Sequence, residues 1–129
     1  MAVRVALDTN RLTDLFQGDS LLADRLGTCD EVWIPLLVLG EIKAGFYGGN
    51  QQHRNHFLLQ SLLTKPTVEV LIPDGETAEN YARLFVQLKR AGTPIPDNDL
   101  WIASLVLQHR LTLITRDRHF TRIPQLLCG

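Results

Sequence analysis

A three-layer α/β/α arrangement, with helices on both faces of a mainly parallel central sheet of four to five strands, is the fold class this sequence predicts. Two observations predict it. Short, β-branched apolar runs alternate along the chain with segments whose apolar residues recur at helical spacing. That alternation is the pattern of parallel strands joined by crossover helices. In addition, acids stand just beyond two of the apolar runs, Asp8 after the first and Asp117 after the last. Ligand sites in such folds lie beyond the carboxyl ends of the strands. At 129 residues the chain fits one domain, residues 1–129.

Taken in order, Val3 to Leu7 is short, apolar and β-branched, and reads as a buried strand ending at Asp8-Thr9-Asn10. Arg11 to Phe16 reads as a short helix closed by Gly18, and Ser20 opens a second one through Leu26. Glu31 to Ile34 is the next strand. Pro35 suits the first turn of the helix that follows through Gly45, with Gly48 and Gly49 ending it. Gln51 to Leu63 reads as a polar-faced helix and Val68 to Ile72 as a strand. Glu76 to Lys89 places Ala78, Tyr81, Ala82, Phe85 and Leu88 on one helical face, with Gly92 beyond the end. The Pro-rich loop 93–98 leads into a helix running to about His109. Leu111 to Thr115 is the clearest strand of all.

Composition excludes several classes. No apolar run reaches membrane-span length and the first residues do not form a signal peptide, so the cytoplasm is the expected location. Cys29 and Cys128 build neither a disulfide framework nor a metal-ligand pair. The formal charge of −1 argues against strong non-specific nucleic-acid binding, which needs a basic surface. It does not exclude a nuclease, because a cluster of carboxylates lowers the net charge while nearby arginines hold phosphate.

Four acids carry the chemical reading: Asp8, Glu41, Asp99 and Asp117. Each has a bland explanation. Asp8 can be a turn residue supported by Thr9 and Asn10, and Asp97 and Asp99 can complement the dipole of the helix they open. Glu41 can pair with Lys43 or Arg54, and Asp117 can be an ordinary loop acid between Arg116 and Arg118. Their joint placement is what raises the chemical reading. Glu41 sits in an otherwise apolar helix, where a carboxylate is costly unless something satisfies it. Two carboxylates 4 Å apart repel by roughly 4 kcal/mol at an effective dielectric near 20. Such a set needs cations, and oxygen-only donors select hard ones such as Mg²⁺ or Mn²⁺.

Four segments, in order, resemble the PIN-domain family, and within it the VapC-type toxins of bacterial toxin–antitoxin pairs. They are Val5-Ala6-Leu7-Asp8-Thr9-Asn10, Leu39-Gly40-Glu41-Ile42-Lys43-Ala44-Gly45, Pro96-Asp97-Asn98-Asp99-Leu100-Trp101-Ile102-Ala103, and Leu113-Ile114-Thr115-Arg116-Asp117-Arg118-His119-Phe120. The resemblance implies a PIN-like three-layer domain and a Mg²⁺- or Mn²⁺-dependent endoribonuclease that hydrolyses RNA phosphodiester bonds. Its four acids fall on Asp8, Glu41, Asp99 and Asp117, which would be catalytic and hold one or two ions. Asn10 and Thr115 match supporting polar positions, while Asp97 matches no family acid and is left with a supporting role through water. Arg11, Lys43, Arg116 and Arg118 are the expected contacts to RNA phosphates. The resemblance further implies a homodimer and a small antitoxin whose arginine reaches the acids. Where the family has a hydroxyl early in the segment leading to the glutamate, this chain has Ile34-Pro35-Leu36-Leu37.

Other readings compete. A receiver-like signalling domain needs paired acids at the first strand and a late lysine, and Asp8 has no acidic neighbour. A dehalogenase-type phosphatase needs a second acid where Asn10 stands. A catalytically silent PIN-fold binding module and a housekeeping RNA-processing nuclease both remain open to a chain with this sequence.

Overall fold

The computed structural model describes all residues, 1–129. Five strands form one sheet: β1 (Arg4–Leu7), β2 (Glu31–Pro35), β3 (Val68–Leu71), β4 (Thr112–Ile114) and β5 (Leu127–Cys128), in the order β3-β2-β1-β4-β5. Every pairing is parallel. The central strand is β1, with Ala6 opposite Trp33 on one side and Leu113 on the other. Val5, Ala6 and Leu7 are buried on both faces, which is why the run reads as continuously apolar. The expected three-layer α/β/α fold with a parallel sheet is the one observed.

Helices α1 (Thr9–Phe16), α2 (Ser20–Gly27), α3 (Leu36–Gly48), α4 (Gln52–Leu63), α5 (Gly75–Ala91) and α6 (Asp97–Gln108) connect the strands. Helix α1 packs on α3, α3 on α4, and α5 on α6. Buried Val38, Ile42 and Phe46 recur every four residues and turn one face of α3 inward. Helix α6 buries Leu100 and the run Ile102 to Val106, so it lies deep in the core. A single cluster of 29 buried apolar residues joins the layers, each fully buried Leu, Ile or Phe contributing about 1.5–3 kcal/mol. No helix is long and apolar enough to cross a membrane.

Boundaries follow local chemistry. The Asp74 side chain accepts from the backbone of Glu76 and Thr77, and the Thr77 hydroxyl reaches back to the Asp74 backbone, making a capping box that starts α5. At its other end Gly92 takes φ 71°, the left-handed conformation glycine adopts without strain. Pro35 departs from expectation. It pairs with Leu71 as the last residue of β2 and stands before α3 in extended conformation, ψ 140°, since its fixed φ suits both roles. The single-turn helix η1 (Arg118–Arg122) and the two-residue edge strand β5 carry no periodicity long enough to be read. Among the apolar residues of α4 and α5, Phe57 and Phe85 are exposed, whereas Leu58 and Tyr81 pack against the core.

Candidate active site

The carboxyl ends of β1 and β4 adjoin, with Leu7 opposite Ile114, so the segments that leave them start side by side. Asp8 is the residue after β1 and the N-cap of α1. Its Oδ1 accepts from the Arg11 backbone N–H at 2.9 Å, and its Oδ2 accepts from the Thr115 hydroxyl. Thr115 in turn accepts from the Asp117 backbone N–H at 3.0 Å. One hydroxyl therefore links the two acids that follow β1 and β4. Asp117 caps η1, its Oδ1 accepting from the His119 N–H at 2.9 Å.

The other two acids arrive on helices. Glu41, one turn and a half into α3, is half-buried and its Oε1 accepts from the Thr9 hydroxyl at 3.0 Å. Neither Lys43 nor Arg54 is its ion partner. Asp99 lies in the first turn of α6. His119 places its Nδ1 3.3 Å from Asp99 Oδ2 and 3.1 Å from Asp117 Oδ1. Ligand atoms of Asp99, Asp117 and His119 all lie within 4.8 Å of one another.

Electrostatics tie these groups into one neighbourhood. Burial pushes the Asp8 carboxyl above the ordinary aspartate range, against the pull of the Thr115 and Arg11 hydrogen bonds, and the Asp117 charge pushes it further. Asp99 is raised as well, first by burial, then by the Asp117 charge, with Glu41 adding to it and His119 opposing. Asp117 thus acts on both Asp8 and Asp99, and Glu41 on Asp99. Carboxylates that resist ionisation side by side are the form a cation site takes before its cation binds.

The structure brings together Asp8, Glu41, Asp99, Asp117 and Thr115. Asp97 is elsewhere engaged: it is exposed at the start of α6 and accepts from the Tyr81 hydroxyl, whose ring stacks on Trp101 at 4.1 Å. Asn10 is exposed, and its neighbour Thr9 makes the contact to Glu41. Two of the four expected RNA-binding cations meet on an acid. Arg116 reaches Asp14 with Nε at 3.0 Å and a second nitrogen at 3.3 Å, while Arg11 reaches it at 3.0 Å. These arginines hold the Asp14 carboxyl below its usual range. Arg11 is further bound to Asp19 at 3.6 Å, while the Arg116 side chain keeps 60% of its accessibility. Lys43 and Arg118 are exposed. Sequence reasoning missed Thr9, Asp14 and the placement of His119. The spacings Asp117-x-His119 and Arg11-x-x-Asp14 were the available signals.

A groove of about 490 Å³ opens beside the acids, between α1, α3 and α4, lined among others by Thr9, Phe16, Glu41, Phe46 and Arg54.

A family described as the PIN domain matches residues 5–126. The chain is 31% identical over 125 residues to Ribonuclease VapC1 of Haemophilus influenzae, covering 93% of this chain and 92% of that protein. It is 27% identical over 122 residues to Ribonuclease VapC5 of Mycobacterium tuberculosis, covering 95% and 83%. Among solved structures it resembles VapBC2 from Rickettsia felis bound to a DNA fragment from their promoter, with a TM-score of 0.89, 25% identity, and 97% and 96% of the chains covered. It also resembles VapBC-1 from nontypeable Haemophilus influenzae, with a TM-score of 0.85, 28% identity and the same coverage. The chain belongs to the PIN domain family.

Proposed function

We propose that this protein is a metal-dependent endoribonuclease that hydrolyses RNA phosphodiester bonds and acts as the toxin of a toxin–antitoxin pair. The observation that carries the reading is the convergence of Asp8, Glu41 and Asp99 with Asp117 at the ends of β1 and β4. Likeness over nearly the whole chain to proteins named as ribonucleases supports it.

The donor set fits a divalent cation. It is rich in carboxylate oxygens, two of its acids, Asp8 and Asp99, are raised by burial and by the Asp117 charge, and no lysine or arginine neutralises Glu41 or Asp99. Asp8, Glu41, Asp99 and Asp117 would hold one or two ions, Mg²⁺ or Mn²⁺. When bound, the metal lowers the pKa of a water and stabilises charge on the phosphoryl oxygens. The Thr115 hydroxyl fixes the orientation of Asp8 and, through the Asp117 N–H, the loop that carries Asp117. Thr9 does the same for Glu41. Asp117, with one oxygen already accepting from the His119 N–H, would ligate an ion directly or orient the water. Arg116, Arg118 and Lys43 are the exposed cations for the RNA backbone, while Arg11 is committed to Asp14 and Asp19.

For the partner, complexes of the VapBC type among the similar structures and the groove that includes Glu41 support a small antitoxin. Its tail would fill the groove and set an arginine on the acids. The test is cleavage of a mixed RNA pool by wild type and Asp99→Asn, each with Mg²⁺, Mn²⁺ or chelator. Discrete cleavage that needs metal and is lost in the variant is expected. Equal cleavage by both proteins overturns the assignment of the site.

A further inference from the structure

His119 presents a contradiction that the four acids do not resolve. Its Nδ1 is buried from solvent and makes no hydrogen bond, although it lies 3.1 Å from Asp117 Oδ1 and 3.3 Å from Asp99 Oδ2. Buried polar atoms without partners are rare and each calls for an explanation. If Nδ1 carries a lone pair, it faces two carboxylate oxygens that repel it. If it carries a proton, that N–H points squarely at neither. Neither description gives the atom a well-aligned hydrogen bond. A cation shared by all three atoms satisfies every one of them.

We propose that His119 is a direct ligand of the catalytic metal, giving the site a nitrogen donor beside the Asp99 and Asp117 oxygens. This rests on the metal-dependent reading above and adds to it the identity of one donor. Three observations support it. The two spacings from Nδ1 fit, since adjacent corners of an octahedron with bonds of roughly 2.2 Å, between those usual for Mg²⁺ and Ca²⁺, stand roughly 3.1 Å apart. The ring is held in place from its own backbone, because the His119 N–H donates to the same Asp117 oxygen that Nδ1 faces. The neighbouring Phe120 is fully buried and anchors the short helix η1. The rest of the His119 side chain remains 39% accessible, so only the Nδ1 edge is committed to the acids.

An imidazole donor makes the site softer than an all-oxygen cage and favours Mn²⁺ over Mg²⁺. This turns the choice between the two ions into a measurable property of one residue. The test is pulsed electron paramagnetic resonance of the wild-type protein with one equivalent of Mn²⁺. Coupling to ¹⁴N is expected, replaced by a ¹⁵N coupling when the protein is made with ¹⁵N-histidine. That exchange needs no mutation and so does not depend on a variant folding. In His119→Gln the coupling is expected to vanish and Mn²⁺ affinity to fall at least tenfold, the lower end of what loss of even an outer-shell partner costs. Mg²⁺ affinity should fall less. Mn²⁺ bound without nitrogen coupling in the wild type overturns the ligand and leaves the metal site standing. Failure of Mn²⁺ to bind overturns both.

Discussion

Replacing Asp99 by asparagine is expected to stabilise the metal-free protein while removing its ability to be stabilised by metal. The magnitude follows from the geometry. The Asp99 and Asp117 donor atoms lie within 4.8 Å, and two unit charges at that separation repel by about 3.5 kcal/mol at an effective dielectric near 20. Solvent reaches 20% and 25% of the two side chains, and the variant also loses the attraction of the His119 ring, which together reduce the gain to about 1–2 kcal/mol. For a chain of this length that corresponds to a rise in Tm of about 4–7 °C. The sign with pH follows from the raised Asp99 carboxyl. Its contribution to stability is fully present below the ordinary aspartate value of 3.8, where folded and unfolded forms are both protonated. It is lost as pH rises through the higher folded value. The gap between variant and wild type is therefore widest near neutral pH and closes as pH falls toward 4. Metal at a hundred times its dissociation constant should raise the wild type by about 2.7 kcal/mol and the variant by much less. Thermal melts of both proteins in chelator and in Mn²⁺, across pH, measure all of this. An Asp99→Asn protein that melts below the wild type in chelator, or gains as much from Mn²⁺, refutes the electrostatic account of the site.

Three further outcomes are expected. Thr115→Val removes the donor to Asp8 and the acceptor of the Asp117 N–H, so Mn²⁺ affinity by calorimetry should fall about 10–100-fold, the usual effect of losing an orienting partner. Asp14→Asn releases Arg11 and Arg116 and should lower stability by about 1 kcal/mol or less in urea titration, since Arg116 is well exposed. The Asp14 carboxyl lies below its usual range, so this contribution is present above the ordinary aspartate value and disappears as pH falls through the folded one. Arg116→Ala should weaken binding of a labelled single-stranded RNA and reduce the slope of log affinity against log salt by about 0.7, one phosphate contact.

Much of this arrangement is legible in the sequence because it rests on local patterns. The sheet could be read from β-branched runs such as Val3–Leu7 and Leu111–Thr115, and the site edge from the acids after them. Glu41 was conspicuous as the carboxylate of an apolar helix. What escaped depends on contacts between distant segments. Thr9 and Asn10 are adjacent and both polar, and only the crossing of α1 over α3 gives Thr9, not Asn10, the bond to Glu41. Arg11 and Arg116 look alike as loose cations, yet Asp14 engages Arg11 three residues away and Arg116 across 102 residues of chain. Asp97 and Asp99 share one helical turn, and α5 decides between them by offering the Tyr81 hydroxyl to Asp97. His119 lacked a second histidine at metal-ligand spacing, and the folding of η1 is what turns its Nδ1 to the acids.

The most direct test of the central claim is the chemistry of the cut ends. A site that activates water for in-line attack leaves the ribose 2′-hydroxyl uninvolved. RNA cleaved by the wild type in ¹⁸O-labelled water is therefore expected to yield one terminal phosphate carrying a single ¹⁸O and one terminal hydroxyl, with no 2′,3′-cyclic phosphate. Cyclic phosphate ends without the label would show that the ribose itself is the nucleophile, and would contradict the assignment of Asp8, Glu41, Asp99 and Asp117 to a water-activating metal site.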